Sequence, residues 1–466
     1  MVAATKVLAA NRWRFLLVLA LYAAYLPLSG YTVGQFRFDA AEYWELSLKF
    51  TQGGGFSLLR FDDPLRGYLG PLLIVPARGL CRLTGCSMLT GAQVLGAGWA
   101  ALLFGVAIPQ LWARVAGRPL AGARWLVLVG LALIFWRDYF NFTLSDMPAL
   151  TLLLLALGAL GRPGWHWALV GGLGLAAALN IRPVYVAALP GCLWLLWGAH
   201  RLNERRWARL AGLAAGMALV LSPQWLINRQ HFQQNTPLVL AGRPGSPPLY
   251  LRQLNWGTRF QRYESSLIPE IPRSLLYADS AGQLLLLREP GGRFASYGQY
   301  LKHTWQHPVA TGWRYARHLF NGLDLRFPTP YPRQLHPPGQ EGLRVLNYGL
   351  LGIGAWLTAR AGWRRRKSRP HETTGSGQGA VLLALLLPCL LVLPTLMECR
   401  FLLPLHLLML TGVAGAWQPV AWWRGLGGPV RRAAVLGLGA AWLWGCWQLS
   451  ESTARQRRPP SEAPQE

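Results

Sequence analysis

Apolar runs separated by short polar breaks dominate the chain. A helix that crosses a bilayer needs about 17 to 25 mostly apolar residues. On that criterion spans are predicted near 13–30, 88–110, 124–140, 147–161, 165–180, 183–199, 207–227, 343–360, 379–396, 400–418 and 431–449. The pattern predicts an all-α polytopic membrane protein with about eleven transmembrane helices. Segment 66–84 (RGYLGPLLIVPARGLCRLT) competes for a twelfth place. Pro71, Pro76, Arg78 and Arg82 interrupt it, so it reads as an interfacial or re-entrant piece.

With 66–84 left out, the short basic loops fall on one side: Lys6, Arg12 and Arg14; Arg114, Arg118 and Arg124; Arg162; Arg201, Arg205, Arg206 and Arg209; Arg360, Arg364, Arg365, Arg366, Lys367 and Arg369; Arg424, Arg431 and Arg432. That side is cytoplasmic by the positive-inside rule. The external side receives a first loop at 31–87 bearing interfacial helices, the turns near 139–147 and Asn180–Pro183, segment 228–342, and the Met397–Arg400 turn. The expected organisation is an N-terminal membrane module at 1–227, a small external α or α+β segment at 228–342, C-terminal membrane helices at 343–449 and a disordered tail at 450–466. Alkaline phosphatase fused after Gly245 is expected to be active, and fused after Arg205 inactive. The reverse result would invert the topology.

Composition agrees. Hydrophobic residues make up 52% and charged residues 14%, too apolar and too segmented for a soluble domain of this size. The net charge of +27 raises nucleic acid as a partner. Membrane topology already accounts for it, and no basic helix with base-reading residues appears. The basic N-terminus before the first run lacks a small-residue cleavage site and reads as a start-anchor helix. Cys192, Cys389 and Cys446 lie in or near apolar runs and read as packing residues. Cys81 and Cys86 share the first external loop, and whether they pair stays open.

Acid is scarce, 19 Asp plus Glu against 46 Lys plus Arg, and much of it collects on the external side. Asp39 and Glu42 follow the first span and share a face if helical. Such a carboxylate can act as general base toward an acceptor hydroxyl or amine, or hold a divalent cation that neutralises a phosphate. The plain alternative is a solvated helix capped by Asp39. Asp146 precedes the fourth span and is a catalytic candidate facing the same external cavity as Asp39, while helix capping by Ser145 or Asp146 explains it equally well. Arg182 sits in a polar turn between two apolar runs and needs a carboxylate or phosphate partner there. Glu398 and Arg400 form a charged turn and are candidates for substrate binding or for each other. Arg66 and Tyr68 join the candidate substrate-binding residues. His303, His307 and His318 have irregular spacing, and no zinc-type set is present.

The order of these features resembles the GT-C superfamily of membrane glycosyltransferases, to which aminoarabinose transferases and protein O-mannosyltransferases belong. The resemblance rests on an acid in the first external loop, TLSDMPALTLLLL, an IRP turn, an external segment and a late CRFLLPL turn, and it covers roughly 10–420. It implies a polyprenyl-phosphate sugar donor and a lipid, glycan or protein acceptor, used at the external face of the inner (plasma) membrane. The family's first-loop Asp matches Asp39, the Asp before the fourth span matches Asp146, and the phosphate-binding Arg matches Arg400. Paired Asp-Glu is common in the family where this chain has Asp39-Ala40-Ala41-Glu42, and Lys is common where it has Arg182. These departures leave the donor and any metal requirement open.

Two other classes compete. A lipid or glycan transporter or flippase would show charges within spans and repeat symmetry, whereas no internal repeat is visible. A non-enzymatic envelope-assembly protein would tolerate Asp39→Asn.

Overall fold

The computed structural model describes residues 2–198, 206–243, 245–271, 273–367 and 375–458. It is 73% helical with little sheet. In chain order the elements begin with α1 (Val2–Leu28), α2 (Phe38–Leu46), α3 (Leu69–Leu72), α4 (Val75–Thr84), α5 (Met88–Val115), α6 (Gly122–Trp136) and α7 (Asp146–Leu160). They continue with α8 (Trp165–Ile181), α9 (Pro183–Gly198), α10 (Arg206–Phe232), α11 (Leu249–Arg259), β1 (Phe260–Ser265), β2 (Ser274–Ala278), α12 (Ser280–Leu286), α13 (Tyr297–Gln306) and α14 (Pro308–Leu323). The last are α15 (Gln340–Lys367), α16 (Gly375–Val392), α17 (Cys399–Ala416), α18 (Pro419–Gly425), α19 (Pro429–Ala454) and β3 (Arg457–Arg458).

Each apolar run singled out as a span falls on a helix. By length and composition α5, α10 and α17 are long and apolar enough to cross a membrane, while α7, α8, α9 and Gly377–Val392 are shorter apolar helices. The 66–84 piece is two short helices, α3 and α4, and not one span. Cys81 and Cys86 form a disulfide across the turn from α4 to α5. The remaining cysteines are free and buried.

The chain forms two compact units: Met1–Leu120 with Trp136–Leu249 and Thr373–Leu391, and Ala121–Phe135 with Tyr250–Glu372 and Val392–Glu466. The chain from Tyr250 shares the second unit with α15, α17 and α19, and buried charges join them, as described below.

In the first unit, α8 and α10 approach at backbone distance. A Cβ on Gly212 would lie 2.5 Å from the Trp165 carbonyl oxygen, and one on Gly216 would fall on the Leu169 carbonyl. Small residues at such a contact let dispersion act between backbones where lipid removes the hydrophobic drive. The first loop builds a small core of its own from Leu46, Phe50, Phe61 and Tyr68, closed by Ile227 of α10.

In the second unit, β1 pairs antiparallel with β2, with a bulge between Phe260 and Arg262, and β3 adds to the far side of β2. Arg262 and Glu264 lie two apart on β1 and therefore share a face. Both are buried, and Arg262 bonds Glu264 and, at 3.0 Å, Asp324. Burial works against the Arg262 charge, but the two carboxylates outweigh it and hold its pKa above the ordinary value. Asp324 also accepts from Tyr348 at 2.9 Å and Ser450 at 2.6 Å, and Arg344 pairs with Glu451 at 2.8 Å. One polar cluster thus joins β1, the end of α14, α15 and α19. A buried charge is tolerable only when paired in this way.

That cluster corrects the expectation of a disordered tail from 450. Helix α19 continues to Ala454, with Ser450 and Thr453 buried, and Arg457–Arg458 pairs with β2. The polar stretch Glu451–Arg458 finds its partners in distant segments. Residues 459–466 lie outside the described residues.

His318 on α14 is fully buried, with Nδ1 2.7 Å from the Leu393 carbonyl oxygen. Burial pushes its pKa down to about 4, with Arg314 lowering it further and the Leu393 bond and Asp279 opposing. The unfolded chain therefore takes a proton near 6.5 that the folded chain refuses until about 4. The stabilisation is complete above the unfolded value and is lost as pH falls through that window, by about 3 kcal/mol in all. Thermal unfolding in detergent between pH 7 and 4 measures this slope, which His318→Gln is expected to flatten.

Candidate active site in the loop after the first helix

Phe38 opens α2 with φ +56, a left-handed backbone that is rare for a bulky residue. Strain of this kind persists only where surrounding structure holds it, and it gathers at functional sites. It places Asp39 in the first turn of α2, where the helix dipole favours a carboxylate. The N-cap is Arg37, not Asp39, so the capping account of Asp39 does not hold.

Asp39 and Glu42 do share a face, and both hold Arg66. Its Nη2 donates to Asp39 Oδ1 at 3.0 Å and Glu42 Oε2 at 2.9 Å, and its Nε lies 3.3 Å from Glu42 Oε1. The guanidinium also stands over the Tyr43 ring, 5.1 Å from its centre. All three charged side chains keep between a quarter and two fifths of their surface exposed. The cluster is therefore reachable by a ligand.

Another ion pair of this unit joins Arg182 to Asp146, whose side chain is only 1% exposed. Ser145 holds the cap position of α7 without a side-chain capping bond. The Thr143 hydroxyl donates to the Ala40 carbonyl at 2.7 Å, tying the loop before α7 to the first turns of α2.

Tyr43, whose ring lies beneath the Arg66 guanidinium, lines a small cavity of about 40 Å³. Its wall is mostly apolar, including Leu73, Leu95, Trp99 and Phe142. Tyr43, Ser145 and Ile181 also line it, each a near neighbour in sequence of one of the charged pairs.

The Arg66 loop is locked from behind by residues that sequence reading passed over. The Leu69 amide donates to Asn180 Oδ1 at 2.9 Å and the Tyr68 amide to Gln224 Oε1 at 3.2 Å. Asn180 donates to Gln224 at 3.0 Å, and Gln224 to Asn228 at 2.9 Å. All three side chains are buried. Tyr68 is itself buried, its hydroxyl donating to the Val220 carbonyl at 2.9 Å, and burial pushes its phenol up to about 12. Tyr68 is therefore placed as an anchor of the loop. The available signal was an Asn at the end of one apolar run and a Gln and an Asn inside another.

Gly67 has no room for a Cβ, which would fall on the Asn180 carbonyl. Gly67→Ala is expected to displace this loop and lower the apparent melting temperature by several degrees, about 1–3 kcal/mol. A thermal scan of purified protein checks this, and an unchanged melting temperature would refute the lock.

Asp138 was also missed. It is buried at the end of α6, accepting from the Tyr25 hydroxyl at 2.6 Å, while Arg137 donates to the same hydroxyl at 2.9 Å. Glu398 and Arg400 belong to the second unit, where they pair with each other at the start of α17. His303 pairs with Glu289 at 2.9 Å. Among the described residues no group of three or more His, Cys, Asp or Glu side chains is placed to hold a metal ion. A divalent cation at Asp39 and Glu42 would have to displace Arg66 and complete its shell from substrate and water.

The arrangement offers a carboxylate pair, a guanidinium that can exchange partners, and an apolar cavity beside them. Compared with known family models and with characterised proteins, the chain matches none.

Proposed function

We propose that the chain is an integral membrane glycosyltransferase of GT-C type. In this reading it crosses the inner membrane about eleven times. It moves a sugar from a polyprenyl-phosphate donor to an envelope lipid, glycan or protein acceptor at the external face. The observation that carries the reading is Arg66 held between Asp39 and Glu42 beside an apolar cavity.

The chemistry follows from partner exchange. A donor phosphate offers oxygens that match the Arg66 fork and compete with the carboxylates for it. Once Arg66 turns to phosphate, Asp39 is free to accept the acceptor's proton. The acceptor oxygen bonds to the anomeric carbon as the bond from that carbon to the phosphate oxygen breaks. The electron pair leaves with the polyprenyl phosphate, whose charge Arg66 compensates. Apolar walls of the kind seen here suit an isoprenoid chain near the reacting phosphate.

The test is to incubate the purified protein in proteoliposomes with polyprenyl-phosphate sugars and to compare envelope lipids and glycans of a deletion strain by mass spectrometry. Release of polyprenyl phosphate and loss of one sugar modification are expected. A protein that releases none, in a strain with unchanged envelope glycans, would overturn the reading. Transport of intact donor without transfer would favour a flippase.

A further inference from the structure

Helix α14 is inverted relative to a helix on a water-soluble surface. Its inward face carries Thr311, Arg314, His318 and Asn321, all buried. Its outward residues include Val309 at 85% exposure, Trp313 at 59% and Leu319, with Gly312 and Ala316 between them. None of the exposed residues of α14 is charged. The preceding α13 adds Tyr297, Leu301 and Trp305 at four-residue intervals, which puts them on one face. Trp305 is 87% exposed.

Water does not favour such a face, and contiguous apolar surface of this kind marks an interaction site. Three observations identify the occupant as lipid. First, among the exposed side chains of α14 only the Trp313 indole can form a hydrogen bond, whereas a protein interface carries roughly one hydrogen bond per 100–200 Å². Second, the flanks are basic. Arg288, Arg293 and Lys302 are exposed, and the Arg317 guanidinium stands 5.7 Å from the Trp313 ring centre. The one acid between Leu284 and Leu323, Glu289, is bonded to His303. Third, the inward side of α14 rests on the start of α17. Gly322 faces Met397, and its carbonyl lies 3.0 Å from His406 Nε2. Helix α17 is long and apolar enough to span, so its end lies at membrane depth.

We infer that α13 and α14 lie in the bilayer interface. Trp305, Val309 and Trp313 enter the acyl boundary, while Lys302 and Arg317 meet lipid phosphates. Aromatic and aliphatic residues beside Lys and Arg are the mark of helices that lie in a membrane surface rather than cross it. At 16 residues, with Arg314 and His318 inside, α14 is too short to span. This inference rests on the membrane reading of the chain and is independent of sugar transfer.

The test uses full-length protein in vesicles of phosphatidylethanolamine and phosphatidylglycerol. Spin labels are placed at Trp305→Cys, Val309→Cys and Trp313→Cys, with the exposed position Glu270→Cys as reference. The four free native cysteines are buried and compete little for label. Accessibility to oxygen and to a water-soluble nickel chelate is expected to place the three labels about 5–10 Å below the phosphates, and the reference in water. Nickel accessibility at 309 and 313 equal to that at 270 would overturn the inference. So would labels shielded from both oxygen and nickel, which would mean that protein covers the face. Sugar transfer measured on the same vesicles separates this outcome from failure of the proposed activity.

Discussion

Asp39→Asn is expected to lower the proposed sugar transfer by about a hundred- to ten-thousand-fold, the usual contribution of a positioned base, and to leave the protein folded. Glu42 alone still holds Arg66 through two nitrogens, at 2.9 and 3.3 Å. The Asp39–Arg66 pair is partly exposed, and pairs of that kind contribute about 1 kcal/mol or less. The melting temperature in detergent is therefore expected to stay within a few degrees of wild type. Glu42→Gln is expected to cost less activity, because Asp39 keeps both its charge and its contact with Arg66. Initial rates of polyprenyl phosphate release from the two purified variants decide the matter. An Asp39→Asn protein that transfers at the wild-type rate would end the catalytic assignment and leave Asp39 as a dipole partner of α2.

Arg182→Ala is expected to act on stability first. Asp146 is almost completely buried, and Arg182 is the cation paired with it. Removing one partner of a buried pair leaves an uncompensated charge and costs about 3–5 kcal/mol. Replacing both, as Arg182→Ala with Asp146→Ala, is expected to recover part of that loss. Unfolding of the three variants in one detergent gives the cycle. If Arg182→Ala alone melts like wild type while donor use disappears, Arg182 is a phosphate ligand and its pairing with Asp146 is incidental.

The two variants also separate what local sequence reveals from what packing adds. Asp39 and Glu42 were legible as a pair because their spacing of three fixes a shared face once the segment is helical. Arg66 was legible as a candidate, but its bond to both acids was not. It comes from a stretch without regular periodicity, and its position depends on Asn180 and Gln224, more than a hundred residues further on. Asp138 escaped notice for a similar reason: its partner Tyr25 lies in α1, and only helix packing brings them together.

By itself the sequence determined where the apolar helices lie, that 66–84 would not form one span, and that acid gathers near the ends of apolar runs. These follow from one physical demand. A long apolar segment must satisfy its own backbone, so its length and breaks already state its structure. Only the tertiary structure decided the disulfide, the pairing of Arg182 with Asp146, the anchoring role of Tyr68, and the order of residues 450–458. It also decided which way α14 faces, since its Arg314 and His318 turn inward and its Trp313 outward. Hydropathy along a helix gives the spacing of its faces but not their neighbours. A polar side chain goes inward only where another segment supplies a partner, and that partner is chosen by packing between residues far apart in the chain.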